Sequence, residues 1–196
     1  MMSERVGGIV LCGGRSRRMG RPKAWLPFGD EVLLQRVVRI VSAAVSPVVV
    51  VAAPEQELPE LPAAVRIVRD PEEGRGPLAG LAAGLAALRG SVDAAYLSSC
   101  DAPFLTVEFI RGIASQLGDA MIAVPHAAGF PQPLAAVYRC EVLNEVDKLL
   151  GAGRSRLVDL LDRVPVRIVP ENAFDPRCLC NINTPDDYAA AITASQ

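Results

Sequence analysis

The chain has 196 residues, 51% of them hydrophobic and 21% charged, with a formal net charge of −2. That balance describes a soluble globular protein, and no apolar run reaches the ~20 residues of a membrane-spanning helix. The length suits one domain over residues 1–196 and is short for two. The opening segment MMSERVGG lacks a signal-peptide core, and five scattered cysteines (Cys12, Cys100, Cys140, Cys178, Cys180) fit reduced thiols better than a disulfide framework. A cytoplasmic location is therefore expected. Cys178 and Cys180 with the single histidine, His126, fall short of the four ligands of a structural zinc site. One histidine also leaves the Ser and Cys hydrolases without their usual general base.

In chain order, Val6 to Leu11 reads as a short strand, apolar on both faces as a central parallel strand is. Apolar residues at helical spacing (Leu33, Val37, Ile40, Val41, Ala44) predict a helix from Val32 to Val45. Val48 to Ala53 and Val65 to Val68 are strands, separated by a loop from Pro54 to Pro62. Gly76 to Leu88 is a helix entered through Pro77, with Gly76, Gly80 and Gly84 on one face at four-residue spacing. Each glycine costs up to about 1 kcal/mol of helix stability relative to Ala. Close helix–sheet packing is the favoured reason at Gly84, while packing and ligand approach both remain open at Gly76 and Gly80.

Ala94 to Ser99 is the fourth strand and Thr106 to Leu117 a helix. Strands from Met121 to Val124 and Leu134 to Tyr138 then flank an AAGFPQP turn. Helices from Val142 to Leu150 and Leu157 to Leu161, and a strand from Val164 to Val169, follow. Thr184, Pro185, Asp186 and Asp187 form the start signal of a last helix. The β-α order predicts an α/β fold, an open, mostly parallel sheet with helices on both faces and ligands at the carboxyl ends of its strands.

Two of those strand ends carry chemistry. After Ile9-Val10-Leu11 comes Cys12-Gly13-Gly14, then Arg15, Arg17, Arg18, Arg21 and Lys23, five of the chain's 20 cationic side chains within nine residues. Two glycines that free amide donors, followed by clustered cations, make a cradle for a polyphosphate; a solvated basic loop is the alternative. The loop is neither a P-loop nor a Gly-x-Gly-x-x-Gly dinucleotide turn. Asp101 follows the fourth strand, with Pro103 stiffening its loop. It suits either a magnesium ion, which takes one or two carboxylates beside substrate phosphates, or a cap on the next helix. Asn181 and Asn183 either shape the entry to the last helix or contact a ligand.

The segment from Leu11 to Phe28 resembles the nucleotidyltransferase signature Leu-Ala-Gly-Gly-x-Ser-x-Arg-Met-Gly-x-x-Lys-x-Leu-Leu, and more narrowly the molybdenum cofactor guanylyltransferases. Gly76-Pro-Leu-Ala-Gly80, Ser99-Cys-Asp101-Ala-Pro103, Gln132-Pro-Leu134 and Asn181-Ile-Asn183-Thr-Pro185 resemble further motifs of that family, in order, over about 175 residues. Cys12 stands for the usual Ala, Ala53 where the family often has Asn near the base, and Gln132 where His often precedes Pro-Leu.

The resemblance implies a single-domain three-layer αβα sandwich with a Rossmann-like, mostly parallel sheet, of the nucleotide-diphospho-sugar transferase type. It implies transfer of GMP from GTP to the terminal phosphate of molybdopterin, with release of pyrophosphate. Leu11, Cys12, Gly13, Gly14 and Asp70 would hold the nucleotide, and Lys23 and Arg18 would offset phosphate charge. Asp101 would carry Mg²⁺, and Asn181 and Asn183 would meet the acceptor or the reacting phosphates. Transient contact with other cofactor-biosynthesis or acceptor proteins is also implied. A cytidylyltransferase on the same pterin and a sugar-phosphate nucleotidyltransferase are the nearest rivals. A catalytically dead relative that chaperones the cofactor is a third, weakened by the presence of both Lys23 and Asp101. A nucleic-acid binder rests on one basic loop of an acidic chain with few aromatics, a weak footprint.

Overall fold

The structure is a computed structural model that describes residues 4–13, 19–70 and 74–195. Its elements are β1 (Val6–Leu11), β2 (Pro27–Phe28), β3 (Glu31–Val32), α1 (Leu33–Ala44), β4 (Val48–Ala52), β5 (Arg66–Arg69), α2 (Pro77–Leu88) and β6 (Ala94–Ser99). There follow α3 (Val107–Ser115), β7 (Ile122–Ala127), β8 (Phe130–Pro131), β9 (Val137–Arg139), α4 (Leu143–Gly151), α5 (Val158–Leu161), β10 (Val166–Pro170) and α6 (Pro185–Ala194). The main sheet runs β10-β7-β9-β6-β1-β4-β5, with β8 added to β7. β1 lies parallel between β4 and β6, so loops after all three emerge at one edge.

Side-chain alternation along β1 divides the interior into two layers. Val10 packs with Val50 and Tyr96 against Leu34, Val37 and Val41 of α1 and Ile110 of α3. Ile9 packs with Val49 and Leu97 against Leu81 and Leu85 of α2 and Val146 of α4. Each such side chain contributes about 1.5–3 kcal/mol on full burial. That outweighs the ~0.7 kcal/mol range of ordinary helix propensities, so packing decides where these helices lie. Gly80 and Gly84 let α2 sit down on β1. A Cβ at Gly80 would lie 2.9 Å from Leu11, and one at Gly84 2.6 Å from Ile9. Close packing thus operates at both positions.

The sheet departs from an all-parallel plan at β9, which pairs antiparallel with both β6 and β7. The strand expected from Leu134 is also shorter. Pro133–Ala135 forms a 3-10 turn, because Pro133 has no N–H for a ladder, and the strand begins at Val137. The AAGFPQP turn narrows to Ala128 and Gly129, both at positive φ, as a two-residue hairpin requires. The β2–β3 ribbon, two residues a side, is too short for any periodicity to announce. A third apolar cluster (Met19, Leu26, Phe28, Leu33, Ile182, Ala191) fastens the segment after the basic loop to α6. No helix among the described residues is long and apolar enough to cross a membrane.

Candidate active site

A cavity of about 400 Å³ opens where β1, β4 and β6 end. Leu11, Gly13, Val51, Ala52 and Ala53 line one wall, with Asp70 at the end of β5. Gly76, Pro77 and Gly80 of the α2 start line another, and Ser99, Asp101, Leu134, Asn181 and Asn183 line the far side. Gly76 is the N-cap of α2 at φ 82, a conformation that favours glycine. A Cβ there would lie 2.8 Å from Ser155 O, which accepts the N–H of Leu78. The loop before α5 thus closes the back of the helix start.

The polar centre is Lys23. Its Nζ donates to Asp101 Oδ2 at 2.5 Å and to Asn183 Oδ1 at 2.9 Å. Lys23 opens a 3-10 turn whose Leu26 N–H returns to Lys23 O, and Trp25 Nε1 donates to Glu57 O at 3.2 Å. Asp101 is 8% exposed, and its Oδ1 is buried without a hydrogen-bond partner. Capping of α3 does not account for it, since Thr106 Oγ1 itself accepts the N–H of Phe109. Arg36 Nε donates to Pro103 O at 2.7 Å and fixes the loop beyond.

Asn183 is placed by two contacts from α6 and one from the sheet edge. Ile182 N–H donates to Asp101 O at 2.9 Å. The Asp187 carboxylate accepts the N–H groups of Asn183 (2.9 Å) and Thr184 (2.8 Å), while Thr184 Oγ1 accepts from Asp187 N–H. This is the reciprocal arrangement of a capping box. The two backbone N–H bonds, with a smaller contribution from the Lys23 charge, hold the Asp187 carboxyl below the usual range. Tyr188 donates its hydroxyl to Pro27 O at 2.6 Å, and the Arg21 guanidinium lies over the Tyr188 ring.

Leu11, Gly13, Asp70, Asp101, Asn181 and Asn183 therefore border one cavity, and Lys23 reaches it through Asp101 and Asn183. Cys12 is buried behind the wall, and its carbonyl is bonded to Gln56, a residue that nothing in the sequence singles out. Hydrogen bonding with the Cys12 thiol, with burial, pushes the Cys100 thiol well up. Gly14 and Arg18, with Arg15 and Arg17, lie outside the described residues. All five cysteines are free, and among the described residues no three His, Cys, Asp or Glu side chains cluster to hold a metal unaided. A hard cation that completes its shell with phosphate and water needs only one or two carboxylates, and the unpartnered Oδ1 of Asp101 fits that need.

A family model described as a MobA-like NTP transferase domain matches residues 8–166. The "probable molybdenum cofactor guanylyltransferase" of Mycobacterium tuberculosis is 42% identical over 185 residues, covering 91% of this chain and 89% of that protein. Among solved structures, molybdopterin-guanine dinucleotide biosynthesis protein A from Archaeoglobus fulgidus superposes with a TM-score of 0.78 at 25% identity, covering 96% and 97% of the two chains. The 2-C-methyl-D-erythritol 4-phosphate cytidylyltransferase of Thermus thermophilus shares the fold, with a TM-score of 0.72 at 20% identity and 99% coverage of both chains. With its fold, the order of its motifs and a curated relative at this identity in agreement, the chain belongs to the MobA-like NTP transferase family.

Proposed function

We propose that this chain, as one nucleotidyltransferase domain over residues 1–196, transfers GMP from GTP to the terminal phosphate of molybdopterin and releases pyrophosphate. The observation that carries the reading is Lys23, whose ammonium bridges Asp101 and Asn183 at a cavity walled by Leu11, Gly13 and Asp70. In this reading the nucleoside lies along the wall formed by Leu11 and Gly13 with Asp70 beside it. Cys12, expected to meet it through the backbone, is buried behind that wall with its N–H and carbonyl both bonded. Lys23 and the amide of Gly13 face the triphosphate, and Gly14 and Arg18 are assigned to it from the family motif alone. Asn181 and Asn183 meet the acceptor.

An oxygen of the acceptor phosphate bonds to the α-phosphorus of GTP. The bond from that phosphorus to the bridging oxygen breaks, and pyrophosphate leaves with the electron pair. A phosphate monoester is already anionic at neutral pH, so no strong base is needed, in keeping with a chain that has one histidine. What remains is to offset repulsion between anions and the charge growing on the leaving group, the task of fixed cations and amide donors. Asp101 would hold Mg²⁺, which when bound supplies positive charge against the nucleotide phosphates. The reaction is assigned to the cytoplasm, where cofactor-biosynthesis or acceptor proteins would make transient contact.

Melting temperatures with GTP, CTP, ATP and UTP, each with Mg²⁺, test the reading. A ligand at a hundred times its Kd stabilises by about 2.7 kcal/mol, so GTP should give the largest shift. A larger shift with CTP would move the assignment to cytidylyl transfer, which Ala53 leaves open because it offers the base no polar side chain. Equal shifts with all four would remove the base assignment.

A further inference from the structure

The ladder between β1 and β4 can be followed rung by rung toward the cavity. Gly8 N–H donates to Pro47 O at 2.9 Å, and Cys12 N–H donates to Val51 O at 2.8 Å. A residue in a parallel ladder donates to one neighbour of its opposite number and accepts from the other. The next rung is therefore Ala53 N–H to Cys12 O. Both groups are instead taken by one side chain: Ala53 N–H donates to Gln56 Oε1 at 3.1 Å, and Gln56 Nε2 donates to Cys12 O at 2.9 Å. A carboxamide carries a donor and an acceptor, so Gln56 is spliced into the ladder as a surrogate peptide group.

The splice sets the carboxyl ends of β1 and β4 apart by an amide rather than by a single hydrogen bond. Gly13 and Ala53, the residues just past it, both line the cavity, whereas Gln56 itself does not. Gln56 is held from behind. Arg69 Nη1 donates to Ala53 O at 3.0 Å and to Gln56 O at 2.7 Å, and Trp25 pins the adjoining carbonyl of Glu57. Neither strand end is left with an unmet group, so the opening does not incur the cost of a buried unpaired amide or carbonyl.

We propose that Gln56 is a positioning residue that wedges β1 and β4 apart and holds open the crevice for the nucleoside, an inference that rests on the nucleotidyl-transfer reading. Without the carboxamide, Ala53 N–H and Cys12 O are free to close on each other and narrow the cavity. The missing bonds are replaced by a ladder rung, so stability changes little while nucleotide affinity falls. A purely structural role for Gln56 predicts the reverse, a lower melting temperature with no selective loss of nucleotide.

The test titrates GTP into wild type, Gln56→Ala and Gln56→Glu by calorimetry, with melting temperatures and steady-state kinetics alongside. Gln56→Glu puts an anionic oxygen where Cys12 O needs a donor, so the side chain is expelled from the splice and the rung is free to close; it guards against a folding defect peculiar to the Ala variant. Both should weaken GTP binding about tenfold or more, raise the KM for GTP to match, and leave kcat at saturating GTP within about twofold. Wild-type affinity in both variants overturns the inference, as does a loss of affinity that only tracks a loss of melting temperature. If wild type binds none of the four triphosphates, the nucleotide reading falls and the wedge with it. If wild type binds GTP and the variants bind it equally well, the wedge alone falls.

Discussion

Leu11, Gly13 and Ala53 reach the cavity at the ends of two strands, whereas Asp101 and Asn183 meet Lys23 as side chains from segments 78 and 160 residues distant. The first region inherits its shape from the sheet and from the packing of α2 on β1. The second exists only because β6, α6 and the segment after the basic loop are brought to one point. What differs is how each fails. A main-chain wall survives most side-chain exchanges and yields to a change in strand spacing, while the convergent side chains lose their chemistry through exchange of a single atom.

Asp101→Asn breaks that comparison hardest. The variant keeps the size of the side chain and a hydrogen-bond acceptor for Lys23, but it removes the negative charge a hard cation requires. In the proposed role of Asp101, transfer should fall by about 10³-fold, roughly 4 kcal/mol of barrier. Excess Mg²⁺ should restore only part of it. The melting temperature should move by only a few degrees, because α3 is capped by Thr106. Transfer rates and melting curves across a Mg²⁺ series decide it, and near-normal, metal-independent transfer by the Asn variant would remove the metal assignment.

Lys23→Ala should come next, at about 10²-fold in turnover. Lys23→Arg should rescue it poorly. One ammonium reaches Asp101 at 2.5 Å and Asn183 at 2.9 Å, and a planar fork on a stiffer group does not reproduce a point charge with rotatable donors. Near wild-type turnover in the Ala variant would return Lys23 to the role of a solvated loop cation.

How much of this was legible in the sequence follows the same division. β1, β4, β6, α1 and α2 lie within a residue or so of where apolar runs and helical spacing put them, because burial on one or both faces sets those patterns. Thr184 as the cap of α6 was legible too, since Thr-Pro-Asp-Asp is a local signal. The antiparallel β9 was not, because pairing direction depends on partners that no local pattern reveals. The contact of Lys23 with Asn183 spans 160 residues and was not legible at all: the family motifs single out each residue but do not pair them. In the sequence Asp101 suits a helix cap and a metal ligand equally, and only the structure shows that the cap of α3 is Thr106. Gln56 left no trace in the sequence, since a lone amide in a Pro- and Glu-rich loop has no periodicity. Its proposed role rests on the missing rung between Cys12 and Ala53, a feature of the structure alone.

The smallest expected effect sharpens the comparison from the side of the convergent residues. The Asp187 carboxylate accepts the N–H groups of Asn183 and Thr184, and these bonds lower its carboxyl pKa. A carboxyl whose folded pKa lies below its unfolded value, about 3.9 for Asp, adds stability that is fully present above the unfolded value. That stability is lost as the pH falls through the folded pKa, so the window of loss lies below about pH 4. Asp187→Ala should therefore lower the melting temperature by about 2–4 °C at pH 7, the size expected for a lost cap in a chain of this length. The gap should begin to narrow below about pH 4 and close only as the pH falls through the folded pKa, where the wild-type carboxylate takes up its proton and its grip on the Asn183 and Thr184 N–H groups weakens. Melting curves of the two proteins from pH 2 to 7 check this, and a gap that shows no narrowing at the acid end would mean that Asp187 positions Asn183 through shape rather than charge. Because Lys23 still bonds Asn183 directly, turnover at pH 7 should fall far less than in the Lys23 and Asp101 variants.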